Sequence, residues 1–268
     1  MEKNNSIQQI ARIALLGIIA FIPSQAFAWN RIVTLNPMVS EWVAEIIGNE
    51  QAKKKLVGAS EYSNYPEWVN QVPTVGPYPQ IQIEKVLSLH PDLVIASIEY
   101  NRPDQIEKLK QLKLNVITLP KESFLEMDKW ILELGKFLKE DQAASVLAED
   151  WNKSLRELKA IRNKKRAFFQ IQFLPLISVG GESFLNDSFK LLGFENIFEK
   201  IPQAYPKVSR EAVLEKNPEK VFVFEMVKDH EDLEKIKLAW KKSDVQVLSG
   251  DDFSRCSRRL LRALKGIK

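Results

Sequence analysis

Cysteine is almost missing from this sequence. Cys256 stands alone, so no intramolecular disulfide can form, even in an oxidising compartment. Histidine is nearly as scarce: His90 and His230 are the only two, too few for a histidine-rich metal site, and the lone cysteine cannot complete one. His90 directly precedes Pro91, His230 sits in a charged run, and no G-x-S-x-G elbow accompanies either, so Ser-His-Asp chemistry is not expected. Gly180-Gly181 belongs to no dinucleotide or phosphate-loop fingerprint and reads as a tight turn. Cys256 has no evident partner that would make it a nucleophile and is expected to be a buried or semi-buried structural thiol. Excess charge of one sign is also lacking. The 39 basic side chains face 35 acidic ones, which gives no bias toward nucleic acid. An α/β enzyme would need a clustered nucleophile and base that these residues do not supply.

What is present begins with a leader. Lys3 and Arg12 flank an apolar stretch from Ile13 to Pro23 that is too short for a comfortable membrane span, and Ala26-Phe27-Ala28 forms a small-x-small cleavage site. Residues 1–28 are therefore expected to be removed as a signal peptide. With no cysteine at the junction for a lipid anchor, a free periplasmic protein is expected. Hydrophobic residues make up 45% of the chain, enough for substantial cores in one large or two small domains.

Two later segments read almost alike, one beginning at Glu84 and the other at Glu211. Val86-Leu87 match Val213-Leu214, Pro91 matches Pro218, and an apolar β-branched run follows each proline. The spacing predicts, in both copies, a short helix that stops before proline and then a strand. Such duplication predicts two similar α/β lobes, each with a carboxylate at the start of a helix. Around the copies, strands are expected at 31–35, 56–59, 93–96, 115–119, 167–173, 221–224 and 245–248. Helices are expected from a cap at Ser40 through Ile47 and over 104–112, and a basic amphipathic one runs to Ile267. Strand–helix alternation with short connections predicts parallel sheets. Between the copies, residues 141–161 are rich in Ala, Leu, Glu and Lys, with Val146, Leu147, Trp151, Leu155 and Leu158 at helical spacing. They are read as a helix connecting the lobes. The expected organisation is a signal peptide over 1–28, an N-terminal lobe over 29–140, a connecting helix over 141–163 and a C-terminal lobe over 164–268.

Aromatic residues stand in loops beside proline and glycine in both halves: Tyr62, Tyr65 and Tyr78 in the first, Tyr205 and Phe253 in the second. Together they suit the walls of a cleft for a large, flat, partly apolar ligand. Asp251 is expected to act there as a polar anchor or as a helix cap.

Several segments resemble the substrate-binding proteins of ABC importers whose two lobes are joined by one long helix (class III), and within that class the periplasmic cobalamin-binding proteins. They are Tyr-Ser-Asn-Tyr-Pro at 62–66, Pro-Asp-Leu-Val-Ile-Ala at 91–96, Glu-Asn-Ile-Phe at 195–198, Val-Ser-Arg-Glu at 208–211, and Asp251 with its neighbours. The resemblance implies two Rossmann-like lobes with the ligand in the cleft between them, and no enzymatic activity. It implies that Tyr62, Tyr78, Tyr205 and Asp251 contact a corrinoid. Tyrosine stands at 78 and 205, and Asp252 at its own position, where the member compared carries aromatics (tryptophan at the first two). It further implies that Glu84 and Glu211 pair with arginines on the two permease subunits. The expected partners are cobalamin or another corrinoid, as transported ligand rather than cofactor, and the importer, with the chain itself a monomer. No metal site and no nucleic-acid partner are expected. A ferric siderophore is the alternative cargo, for which Arg210 and Arg255 would supply cations.

Overall fold

The computed structural model describes residues 29–158, 164–225 and 230–267. The expected signal peptide and the last residues of the expected connecting helix lie outside them.

The first strand, β1 (Ile32–Thr34), gives way to helix α1 (Pro37–Ile47) because Asn36 caps it, its side chain accepting from the amides of Met38 and Val39. Pro37 at the first helical position has no N–H to lose, which suits that site. This corrects the expected cap at Ser40. That residue lies inside the helix, fully buried, with its hydroxyl 2.7 Å from Thr34 Oγ1. Helix α2 (Asn49–Lys55), β2 (Leu56–Ala59), helix α3 (Ile83–Ser88), β3 (Leu93–Ser97), helix α4 (Pro103–Gln111) and β4 (Val116–Leu119) complete the first lobe's frame. Its four strands form one parallel sheet in the order β2-β1-β3-β4.

Two helices then run back to back. Helix α5 (Met127–Leu138) packs on α6 (Asp141–Glu157). Gly135 makes that contact possible, since a Cβ built there would lie 2.2 Å from Ala144 Cβ. Ala144, Ala148 and Trp151 are the buried residues of α6, and of the expected apolar stripe Leu147, Leu155 and Leu158 also pack against the core, while Val146 is exposed. The indole of Trp151 meets Trp42 of α1 edge-on with ring centroids 5.8 Å apart.

The second lobe rebuilds the first. Strands β5 (Lys165–Gln172), β6 (Ile177–Ser178), β7 (Phe194–Asn196), β8 (Lys220–Glu225) and β9 (Asp244–Ser249) alternate with helices α7 (Phe184–Leu191), α8 (Arg210–Lys216) and α9 (His230–Ala239). The parallel neighbours β7-β5-β8-β9 repeat β2-β1-β3-β4, and β6 adds an antiparallel pairing to β5. The chain closes with a helical turn α10 (Gly250–Phe253) and helix α11 (Arg258–Leu264).

The two copies of the repeat match in detail. In the first, Asp92 accepts from the amides of Asn30 and Arg31, and the Arg31 guanidinium donates to the carbonyls of Leu89 and His90. In the second, Glu219 accepts from the Arg166 amide, and Arg166 donates to the Asn217 carbonyl. His90 and Asn217 both adopt φ 44°, the left-handed turn that ends each helix before its proline. His90 therefore has a structural position, exposed and away from any cleft. Glu84 and Glu211 occupy the first turns of α3 and α8, both exposed and without an ion pair among the described residues.

Candidate functional site

Tyr62 projects because the turn after β2 closes on itself. The Ser63 amide donates to the Ser60 carbonyl at 3.2 Å, the two serine hydroxyls lie 3.1 Å apart, and Ser40 of α1 donates to Ser63 at 3.2 Å. Tyr62 is thereby held at φ 69°, a conformation costly for a residue with a Cβ, with 66% of its surface exposed.

The second lobe clamps this turn through Arg255. Its guanidinium donates to Glu41 Oε1 and to Asn64 Oδ1, both at 2.7 Å, and to the Tyr62 carbonyl at 2.5 Å. Glu41 and Arg255 are both buried, so the pair crosses the lobes within the interior. Asp251 stands beside it, accepting from Asn64 Nδ2 at 3.4 Å. Asp251 is not the cap of α10; Ser249 is, accepting from the Asp252 amide.

Tyr62, Tyr78 and Asp251 meet around one hollow of about 210 Å³ at the junction of the lobes, with Tyr100, Glu122 and Arg255. Tyr78 and Tyr100 meet edge-on at 5.9 Å. The Tyr100 hydroxyl donates to Glu122, and burial pushes the phenols of Tyr78 and Tyr100 upward in pKa. Burial also raises Glu122 to about 7, with Glu99 adding to the rise and the Tyr100 hydrogen bond opposing it. Tyr205 adjoins this group from the second lobe, its phenol influenced by Ser183, Glu122, Glu99 and Tyr78 and raised by burial. The residue keeps 40% of its surface exposed and does not itself line the hollow.

Other expected wall residues lie elsewhere. Phe253 is core, 3% exposed, packed at 5.8 Å from Phe189 and 5.4 Å from Phe224. Tyr65 lies under the guanidinium of Arg259 at 4.7 Å. Arg210 sits over Trp240 in a separate outer hollow, and Arg255 is committed to Glu41, Asn64 and Tyr62. Cys256 is fully buried; its carbonyl accepts from Trp42 Nε1 at 3.0 Å, and burial raises its thiol pKa. A wider hollow of about 620 Å³ runs along the edge of β7 between Lys164 and Lys216, but only one lobe lines it.

Tyr100 and Glu122 escaped the sequence reading. A signal existed, because they follow β3 and β4, and ligands of parallel α/β sheets bind beyond the carboxyl ends of the strands.

Comparison with known proteins agrees with this architecture. Residues 32–246 match the periplasmic binding protein family. A vitamin B12-binding protein of Vibrio vulnificus (strain CMCP6) is 31% identical over 214 residues, covering 79% of this chain and 77% of that protein. The crystal structure of the periplasmic vitamin B12-binding protein BtuF of Vibrio cholerae superposes with a TM-score of 0.75 at 28% identity, covering 89% of this chain and 94% of that one. The periplasmic heme-binding protein BhuT, in complex with two hemes, superposes with a TM-score of 0.77 at 20% identity, covering 88% and 95% of the two chains. At that identity the likeness is one of fold.

Proposed function

The chain belongs to the periplasmic binding protein family, and from that premise we propose that it captures cobalamin or a related corrinoid in the periplasm and delivers it to an ABC importer. The family and its relatives are binding proteins rather than enzymes. One observation carries the choice of ligand: the hollow between the lobes is walled by tyrosines and carboxylates, and Arg255, the one cation lining it among the described residues, is bound to Glu41, Asn64 and the Tyr62 carbonyl. Flat aromatic rings suit the face of a large macrocycle, with a few polar groups fixing orientation.

In this reading Tyr62, Tyr78, Tyr205 and Asp251 contact the corrinoid. The hollow of about 210 Å³ accepts only part of so large a ligand. The remainder lies across the exposed Tyr62 and Tyr205 beside it. A ferric siderophore, an anionic chelate, finds less support, since Arg255 is tied to Glu41 and Arg210 is outside the cleft. Glu84 and Glu211, one per lobe on matched helix starts, are the residues through which the carrier docks on the permease subunits. Ion pairs of this kind give register and steering more than affinity.

Titration of the purified protein, residues 29–268, with cyanocobalamin, cobinamide and ferric siderophores tests the reading. Saturable binding of either corrinoid without siderophore binding is the expected result. Siderophore binding alone would replace it with the alternative cargo.

A further inference from the structure

The floor of the cleft holds a carboxylate whose hydrogen bonding is incomplete. Glu122 is 5% exposed and lines the hollow with Tyr78, Tyr100, Asp251 and Arg255. Its Oε1 accepts the Tyr100 hydroxyl, while its Oε2 is buried with no partner among the described residues. A bare buried carboxylate oxygen is costly and calls for a donor. Arg255 is not that donor, because its guanidinium is directed to Glu41, Asn64 and the Tyr62 carbonyl. Glu99 stands beside Glu122 within side-chain hydrogen-bonding reach, its own Oε2 likewise buried without a partner among the described residues, and it pairs with Lys121 at 3.7 Å; Lys121 also reaches Glu182 of the second lobe at 3.9 Å. Tyr78, Tyr205 and Cys256 also sense Glu122. Burial keeps all three neutral near pH 7, so Glu99, Lys121, Arg255 and Asp251, which lines the same hollow, are the charges around it.

We propose that Glu122, positioned by Tyr100, receives a primary amide of the ligand and rejects a carboxylate in the same place. The assignment rests on the corrinoid reading above. Corrins are edged by acetamide and propionamide side chains, whereas hemes present propionates. An amide offers its N–H to an ionised Glu122 and its carbonyl to the protonated acid, so it is matched in either state. A ligand carboxylate is matched only while Glu122 holds a proton. Once Glu122 ionises, two anions face each other in a desolvated hollow. Burial, with Glu99 adding to it, raises the Glu122 carboxyl well above the ordinary carboxylate range, so the discrimination changes within an accessible pH range. A proton shared with Glu99 would satisfy the bare oxygen on the acid side only, leaving the acceptor open above it.

The test measures binding of dicyanocobinamide, whose side chains are amides, and of dicyanocobyrinic acid, in which they are carboxylic acids. Each is titrated at about pH 6 and about pH 8 into the wild-type protein, Glu122→Gln and Tyr100→Phe. The wild type should prefer the amide ligand by at least about tenfold at the higher pH, and the preference should narrow as pH falls. Glu122→Gln should shrink that ratio by about tenfold at the higher pH and remove its pH dependence. Tyr100→Phe removes the bond that favours the ionised carboxylate, so the change should move to higher pH. A ratio untouched by Glu122→Gln, or one independent of pH in the wild type, would overturn the assignment and leave the corrinoid reading standing. Failure of the wild type to bind either corrinoid would instead sink that reading, and the assignment with it.

Discussion

Arg255 shows how much a single side chain can hold. It is 8% exposed, and its guanidinium neutralises Glu41, which is 2% exposed, while bonding Asn64 and the carbonyl of the strained Tyr62. Arg255→Ala would leave Glu41 buried with only Arg259 at 3.4 Å. Breaking a buried pair from one side costs about 3–5 kcal/mol, and the surviving arginine places this variant at the lower end of that range. Denaturant unfolding should report the loss, and corrinoid titration should report weaker binding as the Tyr62 turn loosens. A loss below about 1 kcal/mol, the range of exposed ion pairs, would mean that the pair is not an interior one. From sequence, Arg255 read as a spare cation for an anionic ligand. Nothing local distinguishes a free arginine from one claimed by a residue far away in the chain.

At the scale of elements, the pairing of α5 and α6 depends on the small residues where they touch. Glycine inside a helix costs about 1 kcal/mol relative to alanine, and Gly135 repays this by close approach, with Ala144 Cβ only 2.2 Å from where its own Cβ would stand. Gly135→Val should separate the helices and destabilise the protein by about 1–3 kcal/mol, the range for overpacked cores. Thermal melting checks this, and an unchanged midpoint would show that the helices adjust freely. The basic face of α11 is likewise spent on packing. Arg258 spans Glu45 of α1 and Asp150 of α6 at 3.1 and 2.8 Å, and Lys265 pairs with Glu157 at 2.8 Å. Amphipathic charge on that helix was legible in sequence; its use as a strap from the second lobe onto the first and onto α6 was not.

At the scale of the molecule, the duplication puts one exposed glutamate on each lobe at matched helix starts. A helix N-terminus alone favours an exposed carboxylate by some tenths of a kcal/mol, which would make Glu84 and Glu211 merely local. The docking reading predicts more. The double variant Glu84→Lys, Glu211→Lys should bind cyanocobalamin within about twofold of wild type and abolish importer-dependent uptake in reconstituted vesicles. Normal uptake would reduce both residues to helix-end charges.

The sequence by itself determined the two-lobed α/β plan, the parallel strands and the repeat, because these follow from local periodicity and from proline ending each helix. It also determined that Tyr62 and Tyr78 are loop residues, since Gly, Pro and polar neighbours bar them from regular strands; Asp251, expected in a loop, lies instead in the helical turn α10. Only the tertiary structure decided that Phe253 belongs to the core and not the cleft, that Asn36 rather than Ser40 opens α1, and that Tyr100 and Glu122 complete the hollow. Those outcomes depend on which residues from distant strands converge. Convergence follows from how the sheets pack, and no single stretch of sequence encodes that.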